Sequence, residues 1–310
     1  MIHKKLTYVE FEVLTQLANE DIKPTYLLKN SLPKNLKSQF NKTLDNLDAN
    51  NYLKNHQNHI RITSKGLEVL EQYKVKRAVI LAAGKGERMR PETHATPKPM
   101  VKVHDKRIIE TQIDALHQAG ISDITIVRGY LGHIFDELLL KYSNLKFIDN
   151  PDWDNKGAIV STHLAIDLLA NAYLIEGDIY IKNPNVIRPY EYRSFYCGIP
   201  GEVAEDWHFY TDENKQIHTL AHGNTQILKG LPHKFVGIMY WSKKHVVQLK
   251  QDLQQFLQNP DNHQRFIESL PFDESTKDYN IFAKHLDKDD VTEIDTFQEL
   301  QNLRNIILTV

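Results

Sequence analysis

Cysteine is nearly absent: Cys197 is the only one in 310 residues. That excludes a disulfide framework and a cysteine-based zinc site. No run approaches the ~20 consecutive apolar residues that a membrane-spanning helix needs, so no membrane partner is expected. The opening Met1-Ile-His-Lys-Lys5 leads into an amphipathic segment rather than an apolar signal core, and the expected location is the cytoplasm. Net charge is equally scant, at −2, and gives no global reason for a nucleic-acid or membrane partner. No Gly/Ser-rich or Pro-rich spacer lies at the joint Tyr73-Lys-Val-Lys76. With 41% hydrophobic and 25% charged residues, the chain has ample core-forming material, and its length suits two domains.

One stretch, Val75-Lys-Arg-Ala-Val-Ile-Leu-Ala-Ala-Gly-Lys-Gly-Glu-Arg-Met-Arg-Pro91, organises the rest. Ala78 to Leu81 is a short apolar run rich in β-branched residues, the mark of a buried parallel strand. It breaks into Ala82-Ala83-Gly84-Lys85-Gly86, where small residues let the backbone approach a ligand and consecutive amides make an anion-binding nest. Arg88, Arg90 and Lys98 place cations around it. This is a place to hold a polyphosphate. It is not a P-loop, which needs four residues between its glycines and then Lys-Ser/Thr. The dinucleotide fingerprint wants Gly or Ala where Met89 stands.

Residues 1–75 have their own pattern. Helical spacing marks residues 7–19, a second short helix opens at Pro24, and a third after Pro33 carries Leu36, Phe40, Leu44 and Leu47 on one face. Two short strands follow, around Tyr52-Leu53 and Ile60-Arg-Ile62, and then a closing helix over 63–73. With Leu44-Asp-Asn-Leu-Asp-Ala-Asn-Asn-Tyr52 and Ile62-Thr-Ser-Lys-Gly66, this resembles the winged helix-turn-helix of bacterial regulators. The resemblance leaves DNA binding open; eleven Lys and Arg against eight Asp and Glu is a mild excess for such a role.

Over residues 76–310, strands and helices alternate. Helices are expected at 108–119, ending at Gly120, and at 133–142; strands at 124–127, 145–148 and 173–178. This predicts an α/β fold with a doubly wound, mostly parallel sheet, whose ligand lies beyond the carboxyl ends of the strands. Ser161 and Thr162 fall in the first turns of a helix after the loop Asn150 to Gly157. Past Asp178 come strands at 194–198, 207–211, 216–221 and 235–241, then helices at 242–258 and 260–270. Asp178 ends an apolar strand, where a carboxylate is well placed to hold Mg²⁺ against phosphate oxygens. Asp295 precedes a helix with Thr296 at its cap and Glu299 three residues on, so it is either a cap residue or a metal ligand.

The string Leu81-Ala-Ala-Gly-x-Gly-x-Arg-x-x-Pro91, with Pro97-Lys98 and Ile109-Glu110, resembles the signature of sugar-phosphate-type nucleotidyltransferases. Gly129-Tyr-Leu131, Trp153-Asp-Asn155, Tyr173-Leu-Ile-Glu-Gly-Asp178, Asp206-Trp207, Trp241 and Glu293-Ile-Asp295 bring it closest to the bacterial CTP:phosphocholine cytidylyltransferases, over residues 77–305. The resemblance implies CTP and phosphocholine as substrates. Arg88 and Lys98 would be the catalytic cations, with Mg²⁺ on Asp178 and Asp295. Leu81, Ala82, Ala83, Gly84, Lys85, Gly86, Gly129 and Tyr130 would bind nucleotide. A quaternary ammonium needs aromatic faces and nearby carboxylates; Trp153, Trp207, Tyr210 and Tyr279, with Glu205, Asp206 and Asp278, are candidates for such a box. Lys156, in the run Asn155 to Ser161, departs from the family pattern and suits a phosphate or phosphonate better than an ammonium. A 2-aminoethylphosphonate cytidylyltransferase, a sugar-1-phosphate nucleotidyltransferase and a nucleotide-sensing DNA-binding regulator are the alternatives. The oligomeric state is left open.

Overall fold

The computed structural model describes residues 5–18, 23–201, 206–223, 230–276 and 279–307; Glu205 and Asp278 lie outside these. The chain divides into two compact units. The first comprises Met1–Lys74 with Tyr190–Tyr192, and the second Val75–Pro189 with Arg193–Val310.

In the first unit, helices span Tyr8–Ala18, Thr25–Ser31 and Phe40–Ala49, the last preceded by a 3-10 turn at Lys34–Gln39. Phe11, Leu14, Leu17, Leu28, Phe40 and Leu47 fill its core. The strands Leu53–His56 and His59–Ile62 form the expected hairpin. Gln57 and Asn58 both take positive φ, as a two-residue turn of this twist requires. A third short strand, Lys23–Pro24, pairs with the free side of His59-Ile60; Pro24 therefore ends a strand as well as opening a helix. Thr63 caps the helix Ser64–Leu70 by accepting the Gly66 N–H. Gly66 is obligatory, because a β-carbon there would fall 2.0 Å from the Tyr52 carbonyl oxygen. Tyr192, from far along the chain, stacks on Tyr73 and packs on Phe11.

The second unit is built on a nine-stranded sheet. Its strands are β1 (Arg77–Ala82), β2 (Ile124–Arg128), β3 (Leu145–Asp149), β4 (Ala172–Glu176), β5 (Phe195–Pro200), β6 (Trp207–Thr211), β7 (Ile217–His222), β8 (Leu231–Trp241) and β9 (Phe282–His285). The path runs β7-β6-β8-β4-β1-β2-β3, with β5 paired to β8 and β9. The four strands β4, β1, β2 and β3 are mutually parallel, and antiparallel strands extend the sheet from β8 outward.

Strand β1 is buried on both faces. Ala78, Ile80 and Ala82 point into one apolar layer, under the helix α1 (Ile108–Gln118). Val79 and Leu81 point into the other, under α2 (Ala158–Leu164) and α3 (Lys243–Phe256). Such two-sided burial is why β1 reads as a continuous apolar run. Two expected helices differ. Residues 132–140 are 3-10 turns entered through Leu131 at φ 49°. The 260–270 segment splits into 3-10 turns at Pro260–Gln264 and Ile267–Phe272, the second interrupted by Pro271.

Candidate active site

The site lies beyond the carboxyl ends of β1 and β4, where an open α/β sheet gathers its ligands. After β1 the chain turns through Gly86 at φ +63°, a left-handed conformation that glycine takes without strain. A β-carbon on Gly86 would meet the Lys98 β-carbon at 2.8 Å, so glycine also lets Lys98 close on the loop. Thr93 Oγ1 donates to the Gly86 carbonyl, and the Tyr130 hydroxyl donates to the carbonyls of Thr93 and His94. The Tyr130 N–H donates to the Ala83 carbonyl. The loop is therefore held from behind before any ligand arrives.

The acidic side is assembled by a small ribbon. Residues Ile179–Ile181 pair antiparallel with Val291–Glu293, and the Ile294 N–H donates to the Asp178 carbonyl. This brings Asp295 beside Asp178 although they are far apart in sequence. Gln112, fully buried in α1, fixes the turn by donating to the carbonyls of Glu176 and Ile179. Glu299 accepts from the backbone N–H groups of Asp295 and Thr296, while Thr296 Oγ1 accepts from the Glu299 N–H. Glu299 thus caps the helix α4 (Phe297–Ile307), and the Asp295 carboxylate is left for the cleft.

Lys98 Nζ sits between the two carboxylates, 2.7 Å from Asp178 Oδ2 and 2.8 Å from Asp295 Oδ1. Arg88 Nη2 reaches the same Asp295 oxygen at 2.8 Å. Burial works against the Lys98 charge, but the two carboxylates outweigh it and its pKa is raised. For Asp295, burial likewise opposes ionisation, and Lys98 and Arg88 prevail to lower its pKa. Asp178 Oδ1 is buried with no hydrogen-bond partner. An orphaned carboxylate oxygen beside a second carboxylate is a donor set that suits a hard cation such as Mg²⁺. Among the described residues, no three His, Cys, Asp or Glu are arranged as a metal cluster, so any such ion would draw on these two and on phosphate oxygens.

A cleft of about 400 Å³ joins these groups. Leu81, Ala82, Ala83, Gly84 and Gly86 line it, with Arg88, Lys98, Asp178 and Asp295 opposite. Lys85, Gly129 and Tyr130 do not. Lys85 pairs with Glu87 and Asp154, and Gly129 gives Trp153 room, since a β-carbon there would meet Trp153 Cβ at 2.5 Å. Ser161 lines the cleft, accepting from Asn150 Nδ2, whereas Thr162 is fully buried and donates to the Ala158 carbonyl.

The expected aromatic box is only partly assembled. A second cavity of about 220 Å³ continues from Arg88, Asp178 and Asp295, with Trp207, Asp206, Phe235 and Phe266 in its walls. Trp153 lines the first cleft, 5.4 Å from the Tyr130 ring. Tyr279 is a correction: it is buried, its hydroxyl donates to Asp252, and its ring packs on Trp241 and His245. Tyr210 is likewise buried within β6 and lines neither cavity. Lys156 belongs to the first cleft and pairs with Asp152, so it does not bear on the second.

Sequence reasoning missed the acids of the second cavity, Glu176, Glu268 and Glu293. Burial first, then the neighbouring carboxylates of Glu268, Asp178 and Glu293, holds Glu176 well above the usual carboxylate range. Burial pushes Glu268 up to about 7. Burial and Asp178 do the same to Glu293, against the pull of Lys234 at 3.2 Å. Only the position of Glu176 and Glu293 two residues before the two aspartates signalled them. Glu268 and Phe266 carried no motif.

Residues 77–186 match the family model described as Nucleotidyl transferase. The chain is 29% identical over 234 residues to a choline-phosphate cytidylyltransferase of Streptococcus pneumoniae, covering 74% of this chain and 98% of that protein. It is 28% identical over 227 residues to a 2-aminoethylphosphonate cytidylyltransferase of Lancefieldella rimae, covering 72% and 89%. The solved CTP:phosphocholine cytidylyltransferase of Streptococcus pneumoniae superposes with a TM-score of 0.69 at 27% identity, over 74% of this chain and 98% of that one. The second unit therefore shares the fold of a solved cytidylyltransferase, carries a match to the nucleotidyl transferase model over residues 77–186, and is similar in sequence to cytidylyltransferases.

Proposed function

We propose that the protein transfers CMP from CTP to a small acceptor that joins a phosphate or phosphonate to a cationic ammonium head. Phosphocholine and 2-aminoethylphosphonate are the two candidates. One observation carries this reading: the second cavity has cations where it meets the first and buried carboxylates with aromatic walls beyond. An ammonium finds there the ring faces of Trp207, Phe235 and Phe266 together with carboxylates.

The attacking oxygen of the acceptor is already anionic at neutral pH, so no side-chain nucleophile or general base is needed. Its bond to the α-phosphorus forms as the bond to the bridging oxygen breaks, and pyrophosphate leaves with the electron pair. Catalysis is then positioning and charge neutralisation. The Ala82 to Gly86 backbone holds the triphosphate, Lys98 offsets charge at the α-phosphate, and Arg88 offsets it on the leaving group. Mg²⁺, held by Asp178 and Asp295, would supply further neutralisation of phosphate charge.

The first unit we read as a winged helix. Its helix order and hairpin support this. The exposed face of the Phe40–Ala49 helix carries Lys42 beside Asp45 and Asp48, a balance that weakens any grip on a phosphate backbone. A structural or regulatory role fits it better than DNA binding.

Pyrophosphate release tests the enzymatic reading, with purified protein, Mg²⁺ and CTP offered phosphocholine, 2-aminoethylphosphonate or glucose 1-phosphate. Release with an ammonium-bearing acceptor is expected. Release with the sugar phosphate alone would refute the acceptor class and leave the transferase chemistry standing.

A further inference from the structure

Glu268 lines the second cavity and is 1% exposed. Its Oε2 is buried and has no hydrogen-bond partner. The other acids of the cavity are answered in part: Lys234 stands 3.1 Å from Asp206 and 3.2 Å from Glu293, and Lys98 joins Asp178 to Asp295. Among the described residues no such cation pairs with Glu268. A buried carboxylate oxygen without a donor, on a residue that lines a cavity, is an incomplete site. What completes it is a group that is positively charged and carries N–H bonds.

We propose that Glu268 sets the acceptor's head group, selecting a protonated primary amine over a trimethylammonium. This rests on the reading that the acceptor carries a cation. A trimethylammonium has no N–H bonds, so it would leave Glu268 Oε2 unpaired. A primary ammonium has three donors, and Glu176 and Glu293 line the same cavity. Discrimination of this kind is asymmetric, because a site built to accept a hydrogen bond rejects the analogue that cannot make it. The aromatic walls alone would favour the methylated head, so the carboxylate and the rings pull the choice in opposite directions.

Phosphoethanolamine and phosphocholine differ only in three methyl groups, which makes them the test pair. Initial rates with CTP and Mg²⁺ give kcat/KM for each acceptor in the full-length wild type, Glu268→Gln and Glu268→Leu. The wild type should favour phosphoethanolamine by at least about tenfold. Glu268→Gln should lower that preference, and Glu268→Leu should reverse it. CTP affinity by calorimetry shows that each variant keeps its nucleotide site. A wild type that prefers phosphocholine, or variants in which both acceptors fall by the same factor, would overturn the assignment. If neither acceptor reacts and a sugar 1-phosphate does, the cationic-acceptor reading itself has failed and this inference with it.

Discussion

Gly86 and Lys98 pack so closely that a β-carbon on the first would stand 2.8 Å from the β-carbon of the second. The loop proposed to receive the nucleotide and the cation proposed to meet its phosphate are thus mechanically one piece. Gly86→Ala would add a left-handed alanine, which costs on the order of 1–2 kcal/mol, and would push Lys98 from between its carboxylates. The expected outcome is a folded protein with reduced kcat and weakened CTP binding, read by steady-state kinetics and calorimetry. Unchanged kinetics would show that the contact has no role.

Arg88 and Lys98 are separable. Arg88 is largely exposed and makes one ion pair, whereas Lys98 is mostly buried between two acids. Arg88→Ala should leave the melting temperature unchanged and lower kcat on the order of 10²-fold. Lys98→Ala should lower kcat at least as far and also cost stability, because Asp178 and Asp295 would face each other unshielded. Melting curves and single-turnover rates on both variants decide the matter; near-normal turnover in either removes it from the mechanism.

Asp295→Asn keeps the shape of the side chain and the Glu299 cap but loses the charge. Activity should then require a higher Mg²⁺ concentration, with the fold intact by circular dichroism. Glu299→Gln, which touches only the cap, should lower the melting temperature and leave the Mg²⁺ requirement nearly where it was. Equal Mg²⁺ curves for wild type and Asp295→Asn would remove Asp295 from the metal site.

Glu268 predicts a pH dependence of stability. Burial raises its pKa from 4.5 to about 7 in the folded protein. A group raised in this way contributes most below its unfolded pKa, and the contribution is lost as pH rises through the folded value. Against wild type, Glu268→Gln should therefore melt higher at pH 8, and the gap should close toward pH 4. A gap that stays constant with pH would mean that Glu268 is not buried in its charged form at neutral pH.

The legible part of this protein was local. The apolar run into Ala82-Ala83-Gly84, the cations at 88 and 98, and an aspartate at the end of an apolar strand are short-range patterns, and the structure brings all of them to one cleft. Asp295 was legible as a residue but not as a role, because a Thr296–Glu299 cap and a free carboxylate look alike until Glu299 is seen taking both backbone N–H groups. The acceptor cavity was mostly illegible. One of its acids, Glu268, sits in a 3-10 turn with no periodicity, and aromatic residues read from the sequence do not reveal which face they take. Tyr279 illustrates this: its hydroxyl reaches Asp252, a partner 27 positions away, and the ring goes into the core.

The account stands on the fate of the α-phosphorus of CTP. Phosphorus NMR of a reaction with Mg²⁺, CTP and an ammonium-bearing phosphate or phosphonate follows it directly. The account predicts a new CMP-linked acceptor formed one-for-one with pyrophosphate, and neither signal without the acceptor. Free CMP with pyrophosphate, or a linked product only with a sugar 1-phosphate, would contradict it.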